Sequence, residues 1–284
     1  MKYQKFKQIF DDTIFERAKA DLLKKIAENP SRYIGLFRPT HPHAKLLQNL
    51  LQSHEIRFGD AFETAIGAYI EEFGYQTLSK RYQEADSSLL NIDQCFSSNT
   101  TLYFIEQKVR DDHDSTKKRG QIQNFEKKLN LLQNKHRGKK VVGIFYFIDP
   151  ELVKNKRYYE QELSKMAQDY QVELHLFYGQ DLFDYLNQST TWQEIQTYLI
   201  QWKKDVPTLP QINFDLNPAE TFAEIKDLEP VYYRKILNND QIVQQILKII
   251  FPTNATLKLL TEYFQQKETP VYRALSDKLR NLAE

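Results

Sequence analysis

Residues 140–149, KVVGIFYFID, set eight apolar residues or glycine in a row between a basic pair and Asp149-Pro150. A run this short, rich in β-branched and aromatic residues, reads as a strand covered on both faces. Such a strand needs a layer on each side, which points to a sheet packed between helices. The neighbouring segments supply the rest. Residues 58–73, FGDAFETAIGAYIEEF, bring Phe62, Ile66, Tyr69, Ile70 and Phe73 to one helical face, with Gly74 as a stop. YQTLSKR then reads as a first strand. SLLNIDQCF and TLYFIEQKVR predict a hairpin that turns on Ser98-Asn99. The polar stretch STKKRGQIQNFEKKLNLLQNKHRGK predicts a long helix with Ile122, Phe125, Leu129 and Leu132 as its buried stripe. After the apolar strand come a helix near 157–170, a strand in VELHLFYG, and helices near 180–188 and 191–204. The order helix, three strands, helix, strand, helix, strand predicts an α/β fold with a mixed central sheet flanked by helices.

Two further helices are expected at 10–28 and 41–54. Residues 205–219, DVPTLPQINFDLNPA, hold three prolines and no helical period, and the chain beyond them is helical. The expected division is therefore 1–206, the core with its N-terminal helices, and 207–284, a helical lobe. With 41% hydrophobic residues over 284 positions, the chain can bury a substantial core. The lone Cys95 excludes a disulfide framework and a multi-cysteine zinc site, and it reads as a small buried residue. No apolar run approaches the roughly 18 residues of a spanning helix. A soluble cytoplasmic protein without membrane contact is expected.

The formal charge of +1 hides its distribution. Between Lys108 and Lys140, eleven Lys and Arg face four acids, +7 over 33 residues, which leaves −6 on the rest. One cationic face on a slightly acidic protein is the expectation, and it suits a polyanionic partner.

Chemistry concentrates on Asp93, Glu106 and Lys108. With the hairpin turning on Ser98-Asn99, Asp93 lies opposite Phe104 and diagonal to Glu106 on one face, and Lys108 shares that face. Two carboxylates and an ammonium converge there. Clustered carboxylates suit a hard divalent cation such as Mg²⁺, and a nearby lysine orients or deprotonates an attacking water and offsets phosphate charge. Glu63 sits at the edge of its helix's buried face, where an acid either reaches into a site or edges out to solvent. The Glu-x-Lys pattern occurs three times, at Glu106-Lys108, Glu126-Lys128 and Glu224-Lys226, and the last two fall on expected helices, where i and i+2 diverge. His113, among Asp111, Asp112 and Asp114, reads as part of a solvated or hydrogen-bonded turn.

The stretches LLNIDQCF and LYFIEQKVRDD resemble the PD-(D/E)xK nuclease motif, with Asp93, Glu106 and Lys108 in the motif positions and Glu63 at the extra helical acid. Asp93, rather than Asp86, takes the first acidic place, and Asn91-Ile92 stand where the motif's proline would be. Helix, β, β, β, helix, β is also that superfamily's core, so the resemblance implies a restriction-endonuclease-like fold with helical N-terminal and C-terminal additions. The chain is most similar to type II restriction endonucleases, and SHEIRFGDAFE with IEQKVRDDHDSTKKRGQ resembles the HinfI/HpyAIV branch, whose members cut GANTC.

That resemblance implies Mg²⁺-dependent, sequence-specific cleavage of double-stranded DNA to 5′-phosphate and 3′-hydroxyl ends. It gives the metal to Asp93, Glu106 and the Gln107 carbonyl, with Glu63 for a second metal or a water, and makes Lys108 the group that activates water. It further implies a homodimer and a companion methyltransferase acting on the same site. Arg110, Ser115, Lys117, Lys118, Arg119 and Gln121, at the rim, become candidate DNA contacts. Lys117, Lys118 and Arg119 also oppose the macrodipole of the helix they start, a conflict that a bound phosphate resolves. The lobe 207–284 becomes a recognition or dimerisation lobe. Two other readings stay open: a repair or recombination nuclease of the same superfamily that reads DNA structure, and a non-catalytic DNA-binding module in which Glu106 and Lys108 merely pair. No P-loop, GxGxxG turn, GxSxG elbow or HExxH helix is present.

Overall fold

The computed structural model describes residues 1–83 and 89–283. Ser88, at the head of the expected second strand, and Asp86 lie outside the described residues. The chain divides into two compact units, one of Met1–Phe10 and Gly59–Asp205, the other of Asp11–Phe58 and Val206–Glu284.

Its helices begin with α1 (Tyr3–Ile14), α2 (Ala18–Glu28), α3 (Ser31–Ile34) and α4 (Pro42–Glu72). Strands β1 (Gln76–Thr77), β2 (Arg81–Gln83), β3 (Leu89–Asn91), β4 (Gln94–Ser98) and β5 (Thr101–Lys108) follow. Next come α5 (Ser115–Lys135), β6 (Lys140–Phe147), α6 (Lys156–Tyr170), β7 (Glu173–Tyr178), α7 (Asp181–Tyr185) and α8 (Thr190–Lys203). The C-terminal stretch holds α9 (Pro218–Ile225), α10 (Pro230–Leu237), α11 (Asp240–Ile242), α12 (Lys248–Ile250), α13 (Ala255–Gln265) and α14 (Pro270–Ala283), with a π-helical turn at Val243–Leu247 between α11 and α12.

In the first unit a five-stranded sheet runs in the order β1-β4-β5-β6-β7. β4 is antiparallel to β1 and β5, while β5, β6 and β7 are parallel. The mixed α/β sheet is the expected class. β6 is the strand 140–149 anticipated above, and every residue from Val141 to Phe147 is buried. The expected stripe of α5, Ile122, Phe125, Leu129 and Leu132, is also buried, with the Phe125 ring tilted against Phe104 at 4.8 Å and against Phe145 at 5.5 Å. Parallel neighbours joined by α5 and by α6 put the carboxyl ends of β5, β6 and β7 on one edge, where Lys108 pairs with Phe147 and Phe147 with Tyr178. That edge carries the site.

Several elements differ from their expected form. YQTLSKR divides between β1, in the main sheet, and β2, which pairs with β3 in a separate two-stranded sheet. The expected strand 88–96 likewise breaks at Ile92-Asp93 into β3 and β4, because each half finds a different partner. The hairpin turns on Asn99-Thr100 rather than Ser98-Asn99, so Cys95, not Asp93, faces Phe104. The expected helices at 41–54 and 58–73 are the single helix α4, since one Gly59 inside a helix costs only about 1 kcal/mol. The expected helix 10–28 breaks at Arg17, which adopts a left-handed φ of 61°.

The second unit has its own core, built from Leu22, Leu23 and Ile26 of α2 with Ile225, Tyr233, Ile236, Leu260 and Phe264. Residues 11–58, grouped above with the core of 1–206, thus share a core with the C-terminal helices. The Glu224 carboxylate of α9 accepts from the Lys19 and Ala20 amides at 2.7 and 3.0 Å, capping the start of α2 from a distance. Asp215 caps α13 in the same way, accepting from the Thr253 and Thr256 amides at 2.9 Å. Among the described residues no helix is long and apolar enough to cross a membrane.

Candidate active site

β5 delivers Glu106 and Lys108 to one face, and the bend before β4 delivers Asp93 beside them. The Gln107 amide donates to Asp93 Oδ2 at 2.7 Å, which fixes the aspartate against the strand. The Lys108 ammonium then touches three oxygens at once: Asp93 Oδ2 at 3.3 Å, Glu106 Oε1 at 2.7 Å and the Gln107 carbonyl at 2.7 Å. Burial alone would lower the Lys108 pKa, but Glu106 and Asp93 outweigh it and hold the group above its ordinary value. The observed register is offset by two from the expected one. A strand's side chains alternate with period two, so an even offset leaves every residue on its expected face, and the cluster assembles.

A fourth member was not anticipated. Lys128 of α5 is 2% exposed and pairs with Glu106 Oε2, with Asp93 Oδ1 3.7 Å away. Its signal in the sequence was a lysine three residues past Phe125 and four before Leu132, on the buried stripe itself. A charge at such a position needs a partner. The site is thus two carboxylates and two ammonium groups, one lysine on each side of the buried Glu106.

Glu63 stands apart from this contact set. Lys80 donates to its Oε1 at 2.9 Å, and its pKa is raised, first by burial and in smaller part by Asp93 and Asp60. Its own carbonyl accepts from the Gln94 side chain at 2.5 Å, which ties α4 to β4.

Among the described residues no three His, Cys, Asp or Glu side chains group as a metal site. The oxygens that do converge are two carboxylates and a backbone carbonyl, all hard donors, and they already share one cationic point at Lys108 Nζ. Such a donor set fits Mg²⁺. Asp111 does not add to it: fully buried, it accepts from the Asn155 amide at 2.8 Å, the Asn155 side chain at 2.9 Å and the Tyr178 hydroxyl at 3.1 Å.

The rim divides. Asp114 is the N-cap of α5 and accepts from the Thr116 and Lys117 amides at 2.9 and 2.8 Å, so the helix end is already satisfied. Arg110, Ser115, Lys117 and Arg119 are exposed, and Lys118 lies 4.4 Å from the Tyr158 ring centre. Gln121 is occupied, accepting from the Tyr159 hydroxyl at 2.6 Å. His113, whose pKa burial lowers, has Nε2 buried without a partner. The expected single cationic face is divided along α5. Lys117–Arg119 stand at its start and Lys135–Lys140 at and past its end, roughly 27 Å away at 1.5 Å per residue, with Lys128 buried and Lys127 exposed on the helix between.

No curated protein and no solved structure matches the chain at a significant level. A family model described as Type II restriction endonuclease, HinfI, matches residues 2–88 and 71–203. These segments together run from α1 through α8 and include Glu63, Asp93, Glu106, Lys108 and Lys128. The chain belongs to the HinfI family of type II restriction endonucleases.

Proposed function

We propose that the chain is a Mg²⁺-dependent nuclease of the PD-(D/E)xK type that cuts double-stranded DNA at a specific sequence, within a cytoplasmic restriction-modification system. The observation that carries this reading is the convergence of Asp93 Oδ2, Glu106 Oε1 and the Gln107 carbonyl on one cationic point. Those three oxygens are the ones that would hold the metal. When bound, Mg²⁺ supplies Lewis-acid stabilisation of charge on the phosphate and the leaving oxygen.

The chain's own groups do the rest. Lys128 holds Glu106 Oε2 from behind, which keeps Oε1 directed at the site. Lys108 is partly exposed and so free to move off the oxygens. As an ammonium it donates to the attacking water and offsets charge on the scissile phosphate. The water oxygen bonds to phosphorus and gives up a proton to solvent, the bond to the 3′ oxygen breaks, and that oxygen takes a proton from solvent, leaving 5′-phosphate and 3′-hydroxyl ends. Glu63, once released by Lys80, would hold a second metal or a water. A palindromic target such as GANTC would call for two copies of the chain, and a companion methyltransferase would protect the host's sites.

In the non-catalytic reading Glu106 and Lys108 merely pair, and that pair is made. A simple strand-end pair, however, has no use for Asp93, the Gln107 carbonyl and a second, buried lysine on the same carboxylate.

The test is a digest of long duplex DNA of known sequence with Mg²⁺, beside Asp93→Ala, Lys108→Ala and an EDTA control. Discrete fragments from wild type alone support the proposal, and sequencing their ends gives the target. A smear, or cleavage of branched DNA only, moves the reading to a structure-specific nuclease. No cleavage, with variants binding duplex as well as wild type, overturns the catalytic reading.

A further inference from the structure

The carboxyl edge of the sheet bears a second basic feature, built mostly from residues outside the cationic run seen in the sequence. A cleft of about 550 Å³ opens beside the start of α6. Lys118, Lys154, Lys156 and Arg157 line it, with Glu160 as the one acid and Tyr158 between them. Lys154, Lys156 and Arg157 are exposed, and among the described residues Lys154 reaches back to the Asp112 carbonyl, at 3.3 Å, and Lys156 to the Tyr178 ring, at 5.6 Å. The first turn of α6 holds no acid. Cations gathered there oppose the helix macrodipole, so local stability does not account for them.

The cleft is also fixed with respect to the active site. Asp111, three residues past Lys108, makes a bridge with Val153 and takes both the amide and the side chain of Asn155. The Asn155 side chain also donates to the His113 carbonyl at 3.1 Å, and the Lys154 amide to the Asp111 carbonyl at 3.2 Å. Two loops, one leaving the catalytic strand and one entering α6, are therefore locked by a buried carboxylate. A basic cleft with no such tie could bind any polyanion; this one stands in a set relation to Lys108.

We propose that this cleft grips backbone phosphates of the duplex flanking the scissile bond, with Lys154, Lys156 and Arg157 as contacts and the Asp111–Asn155 lock as what sets its position relative to Lys108. The inference rests on the nuclease reading above. A rival cleft of about 250 Å³ lies at the other edge, at the amino end of β6, where His136, Arg137 and Lys139 are found. There Lys140 is already paired with Glu173, and Asp93, Glu106 and Lys108 are at the opposite end of the strands. The phosphate track belongs on the edge that holds the catalytic groups.

The experiment measures binding of a short fluorescent duplex carrying the cut site, in EDTA, across a salt series. Wild type is compared with Lys156→Ala/Arg157→Ala and with Arg137→Ala/Lys139→Ala. All four side chains are exposed, and thermal unfolding checks that each variant is folded. Each lost phosphate contact flattens the slope of log affinity against log salt by about 0.9, so the first variant should be shallower by about 2 and the second unchanged. A flattened slope in the Arg137/Lys139 variant alone would overturn the proposal and put the DNA at the other edge. Unchanged slopes in both, with wild type still cutting in Mg²⁺, would reject the cleft and leave the nuclease intact. A wild type that neither binds nor cuts duplex removes both readings together.

Discussion

Lys128 closes an ion pair with Glu106 across 22 residues of chain, and both side chains are almost fully buried. Burying two charges costs several kcal/mol per ion unless each is met, so neither residue is tolerable alone. The pair gives the site a fixed cation on one side of Glu106 and leaves the other side to Lys108.

Replacing Lys128 by Met should therefore destabilise the protein by up to roughly 3–5 kcal/mol, because Glu106 Oε2 loses its buried partner and only Lys108, on Oε1, is left to meet the charge. Adding Glu106→Gln should recover part of that loss. Urea unfolding of the two single variants and the double variant gives the coupling directly. Additive losses would mean that the two side chains do not depend on each other.

Lys108→Met should behave in the opposite sense toward cations. The three oxygens around Lys108 Nζ lose their resident ammonium, so Ca²⁺, used as a probe, should bind roughly tenfold more tightly than to wild type, about 1.4 kcal/mol. Titration calorimetry without DNA reads this. Weaker binding would show that Lys108 helps to build the cation site rather than competing for it.

Acid should weaken the fold. His54, His113 and His136 are each held below the ordinary 6.5, in every case first by burial and then by nearby cations, Lys117 in the case of His113. Between the folded values and 6.5 the unfolded chain binds more protons, so this stability is present above 6.5 and is lost as pH falls through the window. Glu63, raised mainly by burial, has the opposite sign at lower pH. Denaturation at about pH 7.5 and about pH 5.5 should show the loss, and His113→Gln should lose less than wild type. An identical loss in the variant would clear His113 of any part in it.

Gly143 sits in β6 where a Cβ would come within 2.7 Å of Phe104 and of Leu174. Gly143→Ala should cost about 1–3 kcal/mol through overpacking, with the Phe104 ring and Leu174 forced aside. A neutral substitution, measured by thermal unfolding, would mean that the sheet face yields more readily than its packing suggests.

The class of fold was legible because its strongest signals are local: the apolar run of β6 and the stripe of α5 need no partner to be recognised. Pairing was less so. Ser98-Asn99 and Asn99-Thr100 are equally good turn dipeptides, and only the sheet selects the second. The cluster survived that ambiguity because the offset is even; an offset of one would have put Asp93 and Glu106 on opposite faces. Lys128 was overlooked for a sound reason. Glu126-x-Lys128 is no motif on a helix, yet the lysine alone carried the information, as a charge on the buried stripe. Likewise, α2 looks like any amphipathic helix, and nothing in its residues names α9 and α10 as its cover. The basic residues of α6 stand past residue 140, outside the dense basic run, so nothing in the sequence marks them as a group.

The second unit is assembled from two stretches of chain, Asp11–Phe58 and Val206–Glu284, with 147 residues of the other unit between them. A ribosome adding about 5–20 residues per second therefore releases α2 roughly 10–40 seconds before the helices that cover its apolar face exist. For that interval Leu22, Leu23 and Ile26 have no native partner from the C-terminal helices, and the hazard of misassociation falls on the nascent chain rather than on the finished protein.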